Sequence, residues 1–234
     1  MQRLWIAAHR FLRRIARAAR SGEAKARFTT IYRRNGFGGL ESLSGEGSSL
    51  EQTATIRREI PRLVRELGAR SFLDAACGDF NWMRQVDLGV EKYYGVDIVD
   101  GLIADNQARF GGPGREFLCR DLIREDLPAA DLVLCRDCLV HLTFKQAKKL
   151  LLNLKRSWSR YLLATTFIDR TENVDLLGRD LWRTLNLELP PFNLPKPRRL
   201  ISENCTQGGG AYADKCLGLW HLDDVVFELR EPRR

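Results

Sequence analysis

Short apolar runs alternate with longer amphipathic stretches through the middle of the chain. Five of these runs have strand length and end in or beside an acidic or polar residue, which is typical of buried strands that stop at a sheet edge. They are SFLDAA at 71–76, YYGVDI at 93–98, EFLCRDL at 116–122, DLVLCRD at 131–137 and YLLATTF at 161–167. Because helical segments lie between them, we expect parallel strands with right-handed crossovers.

Three segments after residue 50 are expected to form helices. One face of the first carries Ile56, Ile60, Leu63, Val64 and Leu67. That helix should end at Gly68, since glycine suits a helix C-terminus. The other two helices are expected over roughly 101–109 and over 143–156.

Two further strand candidates, CLGLWHL at 216–222 and VVFELRE at 225–231, lie near the end of the chain. We expect them to pair antiparallel at the edge of the sheet. The predicted fold is therefore α/β and Rossmann-like, with a mostly parallel sheet of about seven strands and helices on both faces.

The pattern divides the chain into three parts. We expect a basic amphipathic helical extension over 1–34, a Gly/Ser-rich loop over 35–50 and the main domain over 51–234. A proline-rich stretch within that domain, 168–216, is expected to form a substrate-side insertion. The loop is either a plain linker or a lid over the active site.

Basic charge is confined to the N-terminal part. Residues 1–34 contain ten Arg or Lys and one acid, whereas the other 200 residues are nearly neutral. Over residues 1–20 an arginine face opposes an apolar face, which indicates either peripheral membrane contact or packing on the body. No signal-peptide pattern is present and no apolar run reaches the ~20 residues of a membrane span, so we expect a cytoplasmic location.

The cysteines indicate neither a metal site nor a disulfide framework. Cys135 and Cys138 form a lone C-x-x-C pair, and a structural zinc site needs four ligands. We expect Cys77, Cys119 and Cys135 to be buried free thiols.

Acidic residues end three successive predicted strands. They are Asp74, Asp97 and Asp121, and Gly78 follows the first where the backbone must turn tightly. Ligands of parallel sheets bind beyond the carboxyl ends of the strands. Three carboxylates there suit a nucleoside with a cationic tail and repel a pyrophosphate.

These segments resemble the class I S-adenosylmethionine-dependent methyltransferases. LDAACGDF is similar to their first motif, YYGVDI to the second and CRDL to the third, while DLVLCRDCLVHL is similar to their fourth strand and the segment after it. The resemblance covers about 51–167. In the first motif Ala76 and Phe80 stand where the family usually has glycine.

The resemblance implies a role for each matching position. Asp74 and Gly78 would line the methionine end of S-adenosylmethionine, and Asp97 would bind the ribose. Asp121 and Leu122 would contact adenine, and Arg136 and Asp137 would lie beside the reacting methyl group. The full set of expected cofactor residues is Asp74, Ala76, Gly78, Asn81, Trp82, Asp97, Ile98, Asp121, Leu122 and Arg136.

Methyl transfer needs an aligned acceptor and a group that removes its proton. His141 is the candidate general base and Asp137 competes for that role, although a histidine there could also cap or pack against the next helix. In the insertion, Arg183, Asn193 and Tyr212 are the expected substrate-binding residues, with an ordinary surface insertion as the alternative.

The leading hypothesis is a methyltransferase that modifies a hydroxyl or amine of a small molecule or glycan, including a lipid-linked one. An RNA or protein methyltransferase is the second hypothesis, and the neutral body argues against nucleic acid. A methyltransferase-like binding module without catalysis is the third.

Overall fold

The computed structural model describes residues 22–177 and 181–226 and contains one seven-stranded sheet. The strands are β1 (Ser71–Ala75), β2 (Lys92–Asp97), β3 (Arg115–Cys119), β4 (Leu132–Cys135), β5 (Tyr161–Phe167), β6 (Arg199–Ser202) and β7 (Lys215–His221). Their order is β3-β2-β1-β4-β5-β7-β6. Pairing is parallel from β3 to β5, and β7 is antiparallel to β5 and β6. The predicted Rossmann-like sheet is confirmed.

Four α-helices accompany the sheet in the described ranges. They are α1 (22–33), α2 (Ala54–Leu67), α3 (Asp100–Phe110) and α4 (Phe144–Arg156). The three helices predicted within the main domain are confirmed, and α2 ends at Gly68 in the left-handed conformation expected of a C-terminal glycine (φ 60°). Residues 1–21, which carry most of the predicted basic helix, lie outside the described residues.

The helices cover both faces of the sheet because adjacent strand residues point in opposite directions. Leu73 belongs to one apolar core and its neighbour Phe72 to the other. The first core includes α4 through Leu150, and the second includes α2 through Ile60 and α3 through Leu102. Two cores separated by a sheet are the three-layer arrangement predicted from the alternating pattern.

The predicted pairing of 216–222 with 225–231 is wrong. β7 already has a backbone partner on each side, β5 and β6, so neither edge remains for another strand. Val225 instead packs its buried side chain in the first apolar core, which includes α4. Val226 lies outside any strand. Residues 227–231 fall outside the described part. β6 arises within the insertion, where no strand was expected.

The six cysteines are free thiols. Cys77 and Cys135 are buried as expected, whereas Cys119 is exposed because it lies at the tip of β3, at the outer edge of the sheet. Its thiol is 2.7 Å from Asp100 Oδ1. Among the helices of the described residues, none has the length and apolar content to cross a membrane.

We expect Thr143→Ala to destabilise the protein by about 1 kcal/mol, because α4 begins with a capping box. Thr143 Oγ1 accepts from the Gln146 backbone N–H, and Gln146 Oε1 accepts from the Thr143 N–H. Urea unfolding measures the loss. The control Thr171→Ala changes an exposed threonine outside the helices, and an equal loss there would contradict the capping role.

Candidate active site

A cavity of about 470 Å³ lies beyond the carboxyl ends of β1 to β4. β1 sits between β2 and β4, so the strand order reverses there, which is where open parallel sheets bind ligands. Eleven residues predicted for the site line this cavity: Asp74, Ala76, Gly78, Trp82, Asp97, Ile98, Asp121, Leu122, Arg136, Asp137 and His141.

Two of the strand-end carboxylates are held by neutral donors. The Tyr93 hydroxyl donates to Asp74 Oδ2 at 2.7 Å, and the backbone N–H groups of Val99 and Gly78 donate to Asp97 at 3.1 and 3.3 Å. Burial raises the pKa of Asp74 to about 7 and raises that of Asp97 as well. Buried carboxylates of this kind favour a cationic or hydrogen-donating ligand.

The third carboxylate, Asp121, has a different environment. It accepts the Ile123 backbone N–H at 2.9 Å and pairs with the guanidinium of Arg124. Leu122 and Ile98 line the cavity beside it and offer apolar surface to a flat ring. The three acids therefore share one cavity while differing in counter-charge.

The turn after β1 explains how the chain departs from the family motif. Gly78 has φ +54°, and a Cβ on it would lie 2.2 Å from Ser44 Oγ, so a larger residue here would strain the backbone and displace Ser44. Phe80 also has positive φ, but its side chain is buried away from the cavity lining. Its ring packs against those of Tyr93, Phe110 and Phe117. Core packing thus stabilises a conformation that glycine usually supplies.

The chain N-terminal to β1 forms the opposite wall. Phe28, Ile31 and Tyr32 of α1 line the cavity. α1 is attached to α3 by the ion pair of Lys25 with Asp100 and by a hydrogen bond from the Tyr32 hydroxyl to Asp105. Sequence reasoning missed this wall, since the apolar residues of α1 alone do not show what the helix covers.

The segment predicted as a loop or lid covers the cavity edge. Asp79 accepts from the hydroxyls of Ser42 and Ser44 and from the Leu43 N–H. Asn81, a predicted cofactor residue, does not reach the described cavity lining. Its amide donates to Glu41 Oε1 at 2.7 Å, so it ties this segment to the turn after β1.

His141 ends a short 3-10 helix (Leu139–His141) at the cavity. Its Nδ1 contacts the carbonyl oxygen of Leu181, and its ring lies 5.0 Å from that of Phe37. A carbonyl can only accept, so Nδ1 carries the proton and Nε2 keeps a lone pair. Burial lowers the pKa of His141, which keeps the imidazole neutral at pH 7.

Asp137 is held in its ionised form. Its Oδ2 lies 2.6 Å from Lys215 Nζ and 3.3 Å from Arg136 Nη1. Burial alone would raise its pKa, but these two cations hold the pKa far below the usual range. A carboxylate with so low a pKa is a weak base.

Arg136 belongs to a buried charge cluster that we define as Arg136, Asp137, Glu203 and Lys215. Glu203 Oε2 lies 2.7 Å from Arg136 Nη2 and 3.5 Å from Lys215 Nζ. Burial would lower the pKa of Arg136, but the neighbouring carboxylates keep it above its ordinary value. Sequence reasoning missed Glu203 and Lys215, which only tertiary structure brings to the tip of β4.

The structure brings none of the three predicted substrate residues to the described lining of this cavity. Arg183 donates to the carbonyls of Leu139 and Leu142 and so supports the turn that carries His141. Asn193 is exposed in a turn with φ +50°. Tyr212 packs its ring 5.0 Å from that of Trp182.

Comparison with known proteins shows likeness only among solved structures. No family model matches the chain, and no curated protein sequence matches it. The methyltransferase domain of bacterial CtHen1 is similar at 15% identity, over 50% of this chain and 66% of that one, with a TM-score of 0.44. The sugar N-methyltransferase KedS8 from Streptoalloteichus sp. is similar at 21% identity, over 52% and 50%, with a TM-score of 0.43.

The N-methyltransferase NodS from Bradyrhizobium japonicum is similar at 13% identity, over 70% of this chain and 94% of NodS, with a TM-score of 0.48. The chain spans about half to two thirds of the length of the CtHen1 domain and KedS8. These are similarities of fold.

We expect Asp74→Asn to stabilise the unliganded protein at pH 8 and to lose most of that advantage at pH 4. The native pKa of Asp74, about 7, lies above the unfolded value, so the native state binds the proton more tightly. The protonated Asp74 therefore stabilises the native state relative to the unfolded state. This stabilisation is fully present below the unfolded pKa and is lost as pH rises through about 7.

Urea unfolding of both proteins from pH 4 to 8 measures the effect, at about 1.4 kcal/mol per unit of pKa difference. The control is Asp126→Asn, which changes an exposed acid. A difference between Asp74→Asn and wild type that does not vary with pH would contradict the raised pKa.

Proposed function

We propose that this chain is an S-adenosylmethionine-dependent methyltransferase. The observation that carries the proposal is the common cavity of Asp74, Asp97 and Asp121 at the tips of three neighbouring parallel strands. Buried carboxylates with neutral donors favour a ligand that brings positive charge and hydrogen-bond donors. An adenosyl sulfonium has both, whereas a dinucleotide would place a pyrophosphate against three acids.

The residues present suit each part of that cofactor. Asp97 accepts two backbone N–H groups, and a carboxylate has about four acceptor sites, so sites remain for the two ribose hydroxyls. Asp121 can accept the exocyclic amine of adenine between the apolar side chains of Leu122 and Ile98. The cofactor, when bound, supplies a methyl group already activated by the sulfonium.

The methionine end carries an amino group and a carboxylate. Asp74 is suited to accept from the amino group. Arg136 is the cation beside it, and its charge lowers the pKa of Asp74 against the larger effect of burial. This pair of a carboxyl group and a guanidinium matches the amino group and the carboxylate of an α-amino acid, and it lies where β1 pairs with β4.

His141 is the group we propose as general base. Its neutral imidazole with a lone pair on Nε2 can take a proton from a hydroxyl or amine. Asp137 is tied to two cations and does not compete for the proton. Its negative charge instead lies close enough to raise the pKa of His141, against the larger effect of burial.

We propose a small-molecule or glycan acceptor with a hydroxyl or amine, including a lipid-linked one. The near-neutral main domain supports a compact acceptor over RNA. Membrane contact through residues 1–20, in a protein we place in the cytoplasm, stays a prediction because those residues lie outside the described part. Unchanged liposome binding after their deletion would contradict it.

Calorimetric titration with S-adenosylhomocysteine tests the cofactor assignment. We expect binding by the wild type and a loss of about tenfold or more in Asp97→Asn, since one ribose acceptor is replaced by a donor. The matched control is Asp126→Asn. An affinity for the wild type too weak to detect would contradict the proposed cofactor, and equal binding by wild type and Asp97→Asn would contradict the ribose role.

NMR titration tests the proposed base independently of any acceptor. The chain has three histidines, and the ring signal lost in His141→Asn identifies His141. We expect its pKa to lie below 6.5, because burial disfavours the imidazolium. A value at or above 6.5 would contradict the neutral base.

A transfer assay with a hydroxyl or amine acceptor tests the same base directly. Methyl transfer should fall by about 10²–10⁴-fold in His141→Asn while binding of S-adenosylhomocysteine is unchanged.

A further inference from the structure

The charge cluster at the tip of β4 contains two groups that the proposed reaction does not use. Arg136 and Asp137 line the cavity, whereas Glu203 and Lys215 stand behind them, outside the lining described above. Side-chain exposure is 1% for Glu203 and 5% for Lys215. Glu203 follows β6 and Lys215 begins β7, so the cluster joins three strands.

The hydrogen bonds of Arg136 orient its guanidinium. Nε and Nη2 both donate to Glu203 Oε2, at 3.0 and 2.7 Å, and Nη2 also donates to the Gly47 carbonyl at 2.7 Å. Nη1 lies 3.3 Å from Asp137 Oδ2. A guanidinium has five N–H groups, so among the described residues one N–H, on Nη1, is left without a partner.

Lys215 makes this arrangement stable. Asp137 follows Arg136 in the chain and would compete with Glu203 for the guanidinium. Lys215 Nζ lies 2.6 Å from Asp137 Oδ2, so that carboxylate already has its own cation. Two cations and two anions then balance one another within a buried space, as buried charge requires.

We infer that Glu203 is a positioning residue for cofactor binding. It holds the Nε–Nη2 edge of Arg136 so that the remaining N–H on Nη1 meets the carboxylate of the methionine end, while Asp74 accepts from the amino group. The inference rests on the proposed function. It assigns a role in recognising the α-amino acid group to a residue that does not touch the cofactor.

A merely structural cluster that ties β4, β6 and β7 together is the competing explanation. The two explanations differ in how they depend on the ligand. A positioning role affects only ligands with the amino acid group, whereas a structural role affects every ligand of the cavity. S-adenosylhomocysteine carries that group, and 5′-methylthioadenosine lacks it.

The experiment measures the affinity of both ligands by calorimetry for wild type and Glu203→Leu. We expect S-adenosylhomocysteine to bind about tenfold or more weakly to the variant, and 5′-methylthioadenosine to bind as it does to wild type. Glu203→Gln keeps an oxygen for Arg136 and should recover most of the affinity. The matched control Glu66→Leu removes an exposed ion pair with Arg199 of β6 and should change neither affinity.

A second variant tests the inference in case Glu203→Leu fails to fold with an unpaired buried cation. Glu203→Leu combined with Lys215→Met removes one buried anion and one buried cation, so the cluster stays neutral. It should show the same selective loss. Equal losses for both ligands, or no loss, would overturn the positioning role. Failure of the wild type to bind S-adenosylhomocysteine would instead refute the proposed function, and the inference with it.

Discussion

Carboxylates buried at the ends of adjacent parallel strands are the constraint around which this structure is arranged. β1 and β2 pair in parallel with Asp74 opposite Gly95, so Asp74 and Asp97 reach the same edge of the sheet. An ionised carboxylate out of water is costly unless donors surround it. The nearby groups supply them: the Tyr93 hydroxyl and the backbone N–H groups of Gly78 and Val99. These donors only partly offset burial, since the pKa of Asp74 is still raised to about 7 and that of Asp97 is raised as well.

The same constraint explains what the sequence could predict. Each of β1 to β5 contains an apolar run with an acidic or polar residue at or just after its end, so these strands and their terminal residues were readable from local pattern. β6 was not, because it has four residues, with Leu200 partly exposed, in a proline-rich segment. Its stability comes from pairing with β7, which is a non-local interaction.

The residues that line the cavity were predictable from the sequence only where they stand at strand ends or in the segments directly after them. Residues attached to strand ends came together as expected, because parallel topology brings those ends to one edge. The wall from α1 and the partners Glu203 and Lys215 depend on packing between segments far apart in the chain. Arg183 was misplaced for a related reason: its mixed polar and aromatic surroundings look like a pocket in sequence, whereas in the fold its guanidinium binds carbonyls of the turn that carries His141.

Two acids of the cavity show how their surroundings divide the chemistry. Asp74 accepts a hydrogen bond from the Tyr93 hydroxyl, and burial raises its pKa to about 7. Asp137 lies beside Lys215 and Arg136, which hold its pKa far below the usual range. Titratable groups whose pKa values are driven apart in one site can take different roles. Asp74 gains most from a ligand that brings positive charge. Asp137 stays ionised beside its two cations and is a weak base, whereas His141 is uncharged because burial lowers its pKa.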